Sequence, residues 1–166
     1  MSSSRPSRAL LVGTDGSEAA QAALKVAIEL ARARDDKLVL VAIWHELRAD
    51  FGIPLYELIP DLVEIPKAWA AETLVSAAAE ASAAGVAAET VSRYGSAGRE
   101  ICGLAREVSP RLIVIGSTGW GAIDGAVFGS VSRRVLDNAP CPVLLVPAAP
   151  REGHAASPRA HAAEQT

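Results

Sequence analysis

Two glycine-containing segments, far apart in the chain, carry the residue types that bind phosphate groups. The first is 13–17 (GTDGS), and the second starts at 116–119 (GSTG) and ends with Gly129 and Ser130. Glycine allows the backbone to approach a bulky anion and to adopt angles that other residues avoid. A helix that begins at Ser130 would present free N–H groups and the positive end of its dipole to a negative charge. These segments therefore predict a site for a phosphate-bearing ligand.

Individual side chains indicate how the rest of a nucleotide would be held. The Asp15 carboxylate suits a ribose hydroxyl or a divalent cation, and the Ser130 hydroxyl can donate a hydrogen bond to phosphate. Ile43, near the end of another apolar segment, can pack against a flat base. Each residue also has a simpler interpretation, since Asp15 and Ser130 suit helix N-termini and Ile43 suits a core. Arg133 and Arg134 are either phosphate ligands or a solvated helix face, and the sequence leaves both open.

Apolar patterns predict the elements that position these residues. Short continuous apolar runs predict strands, and apolar residues at helical spacing predict helices. The predicted strands are 8–13, 38–44, 86–94, 112–115 and 142–147, and the predicted helices cover about 18–34, 69–84, 101–108 and 130–138, the first of them after the N-cap Ser17. Continuously apolar strands joined by helices are typical of parallel βαβ units.

The predicted fold class is α/β, a doubly wound five-stranded parallel sheet of order 3-2-1-4-5 with helices on both faces. The first strand is short and wholly apolar, as suits a central strand, and the third is the most polar, as suits an edge. Right-handed crossovers leave few other topologies. Ligands of such sheets bind outside the carboxyl ends of the strands where the winding reverses, here between strands 1 and 4. Both phosphate-binding segments follow these two strands, so we expect them to converge on one crevice.

Domain bounds and partners follow from composition. We expect one domain over 8–147 and disorder over 1–7 and 148–166, while the irregular segment 45–66 is a candidate lid or partner surface. The formal charge of −3 provides no electrostatic footprint for nucleic acid or an anionic membrane. No apolar run is long enough to span a bilayer, and the first residues lack the apolar stretch of a signal peptide. These features predict a cytoplasmic protein that binds neither nucleic acid nor membrane.

Other well-known motifs do not occur in the sequence. A P-loop would need GxxxxGK[ST], and neither glycine segment fits the GxGxxG of dinucleotide-binding proteins. No cluster of cysteine and histidine indicates a metal site, and no Ser-His-Asp trio can be argued. The glycine segments are therefore the main lead to function.

The spacing within the second glycine segment resembles a known nucleotide motif. Segment 116–130 contains glycine, two residues, glycine, nine residues, and then glycine and serine. This pattern matches the G-2x-G-9x-G-[S/T] motif of ATP-binding universal stress proteins. The surrounding segment 116–147 and the segment 10–20 (LLVGTDGSEAA) also look like that family, and the likeness covers about 8–147.

The resemblance implies an adenine nucleotide, ATP or else ADP or AMP, that binds with Mg²⁺ or Mn²⁺ between the first turn and the glycine segment. Asp15 would lie beside the ribose and the metal, and Ile43 would touch adenine. The other residues implied in nucleotide binding are Gly13, Thr14, Gly116, Ser117, Gly119, Gly129, Ser130 and Val131. The resemblance also implies a homodimer through the last strand, from Val143 to Val146.

Three functions stay open at this point. The first is an ATP-responsive regulator that acts in stress or dormancy through an unknown protein partner. The second is a slow ATP hydrolase or nucleotidyl-transfer enzyme that uses Asp15 and a metal, and the third is a dimeric interaction protein with an empty pocket. The sequence offers no obvious general base or activated nucleophile, which argues against efficient turnover. We therefore expect at most a weak ATPase.

Overall fold

The computed structural model describes residues 7–45, 64–118 and 128–148, in which strands and helices alternate. The strands are β1 (Ser7–Gly13), β2 (Lys37–Trp44), β3 (Ala88–Tyr94), β4 (Pro110–Gly116) and β5 (Val143–Val146). The helices are α1 (Glu18–Arg34), α2 (Glu64–Ala83), α3 (Ala97–Val108) and α4 (Ser130–Asn138). None of these helices combines the length and the hydropathy that crossing a bilayer requires.

The strands form one parallel five-stranded sheet in the order β3-β2-β1-β4-β5, which confirms the predicted order. β1 is central, with Leu11 aligned with Val39 of β2 on one side and with Ile113 of β4 on the other. These three side chains are buried. β3 forms one edge and alternates half-buried with exposed residues, in keeping with its polar sequence. The apolar residues 9–12 of β1 are thus buried on both faces of the sheet.

Successive side chains of the strands enter two separate cores. On one face of the sheet, Leu10 and Val12 of β1 pack with residues of α1 and α2. On the other face, Leu11 packs with residues of α3 and with Val135 of α4. Helices therefore cover both faces, as predicted, because each apolar strand has two faces to bury.

α1 begins at the predicted residue and lies close to the sheet. The Ser17 hydroxyl accepts a hydrogen bond from the Ala20 amide at 3.3 Å, which caps the helix. The helix ends at Asp35, whose φ of 55° lies in the left-handed region. Five of its seven buried residues are alanines, namely Ala19, Ala20, Ala23, Ala27 and Ala31. This close approach places the start of α1 directly against the end of β4.

The start of α2 differs from the prediction. The helix begins at Glu64, whereas the sequence pattern predicts a start at 69 and an irregular chain up to Pro66. Pro66 lies in the first turn, where its missing N–H would have no acceptor within the helix, so it does not interrupt the helix. The rest of the irregular segment, 46–63, lies outside the described residues.

The structure describes only one residue of each terminal segment that is predicted to be disordered. Ser7 is the first residue of β1, and Ala148 follows β5 without regular structure. Residues 1–6 and 149–166 lie outside the described residues, so their disorder and the bounds of the domain stay predictions.

Candidate functional site

A cavity of about 620 Å³ opens at the carboxyl ends of β1, β2 and β4, where the winding of the sheet reverses. Its volume is typical of sites for small ligands. Its lining includes most of the residues predicted from the sequence, namely Gly13, Thr14, Asp15, Ile43, Gly116, Gly129, Ser130 and Val131. The two glycine-containing segments therefore meet at one cavity, while the binding role of each residue stays a prediction.

The two remaining predicted residues stand apart from this lining. Gly119 lies outside the described residues. Ser117 is buried behind the cavity, where its amide donates to the Val146 carbonyl at 2.8 Å and its carbonyl accepts from the Gly129 amide at 2.9 Å. The backbone of Ser117 therefore joins β4 to β5 and to the start of α4, and its contact with a ligand stays a prediction.

The turn after β1 forms one wall of the cavity and is held by its own hydrogen bonds. The Thr14 amide donates to the Val41 carbonyl at 2.9 Å, which fixes the end of β1 against β2. One carboxylate oxygen of Asp15, Oδ1, accepts from the Ser17 amide at 3.0 Å. Gly16 has a φ of 74°, a conformation that side chains disfavour. The half-buried Asp15 carboxylate is thereby oriented before any ligand arrives.

The end of β4 and the start of α4 form the opposite wall. Ser132 Oγ lies 3.0 Å from the Gly116 carbonyl oxygen and 2.8 Å from that of Ser117, so its single proton can be donated to either. The Ser132 side chain is buried, and of these two contacts the one with Ser117 is buried and the one with Gly116 is partly buried. Together with the bond from Gly129 to Ser117, they hold the N-terminus of α4 beside the end of β4.

The N-terminus of α4 lies at the cavity, and its first amides have no recorded acceptor among the described residues. Its N-cap is Gly129, which has no side chain to accept their hydrogen bonds. The first backbone hydrogen bond of the helix is donated by the Arg133 amide to the Gly129 carbonyl, at 3.1 Å. Within the described ranges, no acceptor is recorded for the amides of Ser130, Val131 and Ser132. These donors and the helix dipole suit an anion.

An apolar wall completes the cavity on the side of β2 and α2. Ile43 lies at the end of β2, and Ile65 and Trp69 lie four residues apart at the start of α2. Ile65 is 57% exposed and Trp69 37% exposed, although both are large apolar side chains. Exposed apolar side chains beside an anion site suit a ligand that carries both a ring and a phosphate.

Sequence reasoning missed this α2 contribution and several other lining residues. It assigned residues up to 66 to an irregular segment, so the four-residue spacing of Ile65 and Trp69 was not recognised as a helix face. The other unpredicted lining residues are Ala20, Trp44, His45, Pro66, Ala97, Ile101, Ile115, Thr118 and Ser132. The Ser132 hydroxyl carries no sequence signal, because only its position on α4 brings it to the carbonyls of β4.

Few ionisable groups line the cavity. Among the described lining residues they are the Asp15 carboxylate and the His45 imidazole. In the part of the chain that the structure describes, no group of three or more His, Cys, Asp or Glu residues is placed to hold a metal ion. Mg²⁺ is commonly bound by one or two carboxylates together with phosphates of a ligand. Asp15 is a carboxylate of that kind, and a phosphate-bearing ligand would have to supply the other oxygens.

The two cysteines do not line this cavity and are poorly suited to nucleophilic chemistry. Burial raises the pKa of the Cys102 thiol, and burial is also the main cause of the raised pKa of Cys141. Both thiols are therefore protonated at neutral pH, and the thiol is a much weaker nucleophile than the thiolate.

Replacing Ser132 with alanine is expected to lower the free energy of unfolding by about 1–2 kcal/mol. The carbonyls of Gly116 and Ser117 would lose the buried hydroxyl that lies within hydrogen-bond distance of both. Urea unfolding followed by circular dichroism measures the change. Ser130→Ala is the matched control, because the Ser130 side chain is exposed on the same turn and its loss should change stability by less than about 0.5 kcal/mol. Equal losses in the two variants would contradict the structural role of Ser132.

Comparisons with known proteins find a matching family and similar sequences. A sequence model of the universal stress protein family matches residues 6–147. A universal stress protein of Synechocystis sp. is 32% identical over 140 residues, which cover 84% of this chain and 85% of that protein. All three walls of the cavity lie within the matched part of the chain.

Two solved structures of similar proteins contain a nucleotide, and each is 26% identical in sequence. One is a universal stress protein in complex with cAMP, with a TM-score of 0.65 over 87% of this chain and 100% of that one. The other is the universal stress protein from Archaeoglobus fulgidus in complex with dAMP, with a TM-score of 0.61 over 86% of this chain and 99% of that one.

Proposed function

Because the chain belongs to the universal stress protein family, we propose that its cavity binds an adenine nucleotide, with ATP as the expected ligand and ADP or AMP as the alternatives. The observation that carries the proposal is the meeting of the turn after β1, the N-terminus of α4 and the apolar wall at one cavity. The ligands named for the two similar structures, cAMP and dAMP, are both adenine nucleotides with a phosphate.

In this proposal each part of the nucleotide meets a different wall. The adenine packs against Ile43 and Trp69, and the ribose lies beside Asp15 on the turn after β1. The phosphates lie at the amides of Ser130 and Val131, with the Ser130 hydroxyl as a further donor. A ring against an apolar wall and an anion at a helix N-terminus are each favourable alone. That the apolar wall and the N-terminus of α4 line one cavity supports the proposal.

A divalent cation would join this site only together with the phosphates. Asp15 would supply a carboxylate oxygen to Mg²⁺ or Mn²⁺, and the nucleotide would supply the others. When bound, the cation would neutralise part of the phosphate charge. The Asp15 side chain already accepts a hydrogen bond from Ser17 through Oδ1, so it is held in position by the turn.

We propose that the protein is a nucleotide-responsive regulator of the stress response and at most a weak ATPase. Asp15 and His45 are the ionisable side chains among the described lining residues, and Asp15 is engaged by its own turn. Efficient hydrolysis would need a base that activates water beside the terminal phosphate. The alternatives are a slow hydrolase or nucleotidyl-transfer enzyme of the related α/β group and an interaction protein whose pocket stays empty.

Mass spectrometry of the ligand that co-purifies with the protein, followed by calorimetric titration with ATP, ADP and AMP, tests the proposal directly. We expect an adenine nucleotide in the purified protein and saturable binding of at least one of the three. An empty protein that binds none of them would overturn the proposal and favour the interaction protein.

Asp15→Asn separates a regulator from a slow hydrolase. The asparagine keeps an oxygen that can accept from the Ser17 amide but removes the negative charge. We expect ATP affinity to fall about tenfold when Mg²⁺ is present, because a charged ligand of the cation is lost, and to change little when it is absent. Phosphate release should stay at background for both proteins. Release that is well above background in the wild type and vanishes in Asp15→Asn would favour the hydrolase instead.

The proposed assembly and location follow the same family reasoning. β5 is an edge strand whose residues Val143–Val146 are all half-buried, and β4 is its neighbour in the described sheet. We propose that this edge forms a homodimer in the cytoplasm, since an apolar edge strand favours pairing with a second copy. Sedimentation equilibrium measures the mass, and a monomer at micromolar concentration would contradict the dimer.

A further inference from the structure

A second cavity, of about 790 Å³, lies between α3 and α4, and five of its eleven described lining residues are charged. Four arginines face it, namely Arg99, Arg106, Arg133 and Arg134. Asp137 is the one carboxylate among the described lining residues, so the lining carries four positive charges against one negative. The whole chain has a formal charge of −3, which makes this concentration of positive charge a local feature. We call this cavity the arginine groove.

The arginines of the groove form no recorded ion pair with any described residue. Arg106 donates to the Asn138 carbonyl at 3.0 Å, an uncharged acceptor. Among the described residues, no ion pair is recorded for Arg99, Arg133 or Arg134, and all three are exposed. Repulsion between neighbouring guanidinium groups disfavours such a cluster unless an anion offsets it.

The packing of α3 against α4 holds part of the cluster in place. Gly98 lies so close to Arg134 that a Cβ added to this glycine would stand 2.9 Å from the Cβ, Cγ and Cδ atoms of the arginine. The aliphatic part of Arg134 is therefore packed against α3, next to Arg99. Restricting the side chain in advance lowers the entropy lost when a guanidinium binds an anion.

The arginine groove adjoins the nucleotide cavity. Gly129 and Ser130 line both cavities. Arg133 and Arg134 follow Ser130 by three and four residues on α4, the spacing at which helix side chains lie over the same face. A chain of phosphates that begins at the amides of Ser130 and Val131 can therefore continue over the first turn of α4 towards the guanidinium groups.

We infer that the arginine groove binds the outer phosphates of an adenine nucleotide whose adenosine part occupies the first cavity. The protein thereby selects nucleotides with an extended phosphate chain over monophosphates. This inference rests on the proposed function, because it needs the adenosine and the first phosphate to bind as described there. Arginine suits this role, since its planar group donates two parallel hydrogen bonds to phosphate oxygens.

Calorimetric titration with AMP, ATP and adenosine 5′-tetraphosphate, in the presence of Mg²⁺, tests the inference. The wild type should bind these ligands with affinity that rises with the number of phosphates. In the double variant Arg99→Gln with Arg133→Gln, the affinities for ATP and the tetraphosphate should fall about tenfold or more, while the affinity for AMP changes less than about twofold. This variant leaves the packed side chain of Arg134 in place. Arg32→Gln, in the last turn of α1, is the charge-matched control and should change none of the affinities.

The outcomes separate this inference from the function on which it rests. AMP binding with no gain from added phosphates in the wild type would overturn the inference alone. An equal loss for all three ligands in the double variant would also overturn it, because the arginines would then act on the first phosphate. If the wild type bound no adenine nucleotide, the proposed function would fall as well. The wild-type ranking needs no variant, so a ranking without any gain from added phosphates overturns the inference even if the double variant is unstable.

Discussion

Gly116→Ala is expected to lower the free energy of unfolding by about 3 kcal/mol, the largest loss that we predict for a single added methyl group. A Cβ at this position would stand 2.8 Å from the carbonyl carbon and the Cβ of Ala19, and 2.9 Å from the amide nitrogen of Ala20. These atoms belong mostly to the backbone of α1, which cannot turn aside as a flexible side chain can. The helix or the end of β4 must therefore move, which would also disturb the cavity between them.

Urea unfolding of the wild type and the variant measures this loss. Gly103→Ala is the matched control, because a Cβ there would meet only one atom within 4 Å, a side-chain nitrogen of Arg93 at 4.0 Å. Gly103 lies inside α3, where alanine is a better helix former, so this change should raise stability by about 0.5–1 kcal/mol. A Gly116→Ala variant as stable as the wild type would show that α1 does not pack on β4 in the way described.

Ser130→Asp is expected to weaken nucleotide binding by about thirtyfold while leaving the fold intact. The change places a carboxylate at the first residue of α4, where the proposed site holds phosphate. Two unit charges 4 Å apart repel by about 4 kcal/mol at an effective dielectric constant of 20. If salt and solvent halve this value, the remaining 2 kcal/mol corresponds to about thirtyfold in affinity. The same carboxylate should stabilise the helix by about 0.3–1 kcal/mol through its dipole.

Opposite effects on binding and on stability make this prediction specific. Titration with AMP and with adenosine separates the phosphate from the rest of the ligand, since only AMP should lose affinity. Ser76→Asp, an exposed residue in the middle of α2, adds the same charge outside both cavities and should change neither affinity. If Ser130→Asp left AMP binding unchanged, the N-terminus of α4 would be excluded as the phosphate site.

The sheet could be predicted from the polarity of the strands together with the right-handed crossover rule. β1 has an apolar stretch at 9–12 and is central, and β3 is the most polar strand and forms an edge. The meeting of the two glycine-containing segments then follows from the order, since both segments lie at carboxyl ends where the winding reverses. The start of α2 differs from the prediction because Pro66, which ends the predicted irregular segment, lies in the first helical turn, where proline is tolerated.

Two glycines show how local pattern and packing can require the same residue for different reasons. From the sequence, Gly116 is a residue that lets the backbone approach an anion. In the structure it also leaves the space that the backbone of α1 occupies. Gly98 has no motif to mark it, and it is explained only by the side chain of Arg134, which packs against it from another helix. A glycine in a pattern indicates freedom of the backbone but does not reveal the neighbour that needs the space.

The sequence by itself determined the fold class, the order of the strands and the pair of segments that meet at the cavity. All three follow from the hydrophobic periodicity, which can be read along the chain, and from a few general rules of topology. Only the tertiary structure decided which side chains complete the site. Each of these features brings together residues of different elements. They are the position of Ile65 and Trp69 at the cavity, the hydrogen bonds of Ser132, and the arginines between α3 and α4. Such contacts depend on distances between packed helices and strands, and local sequence patterns carry no information about those distances.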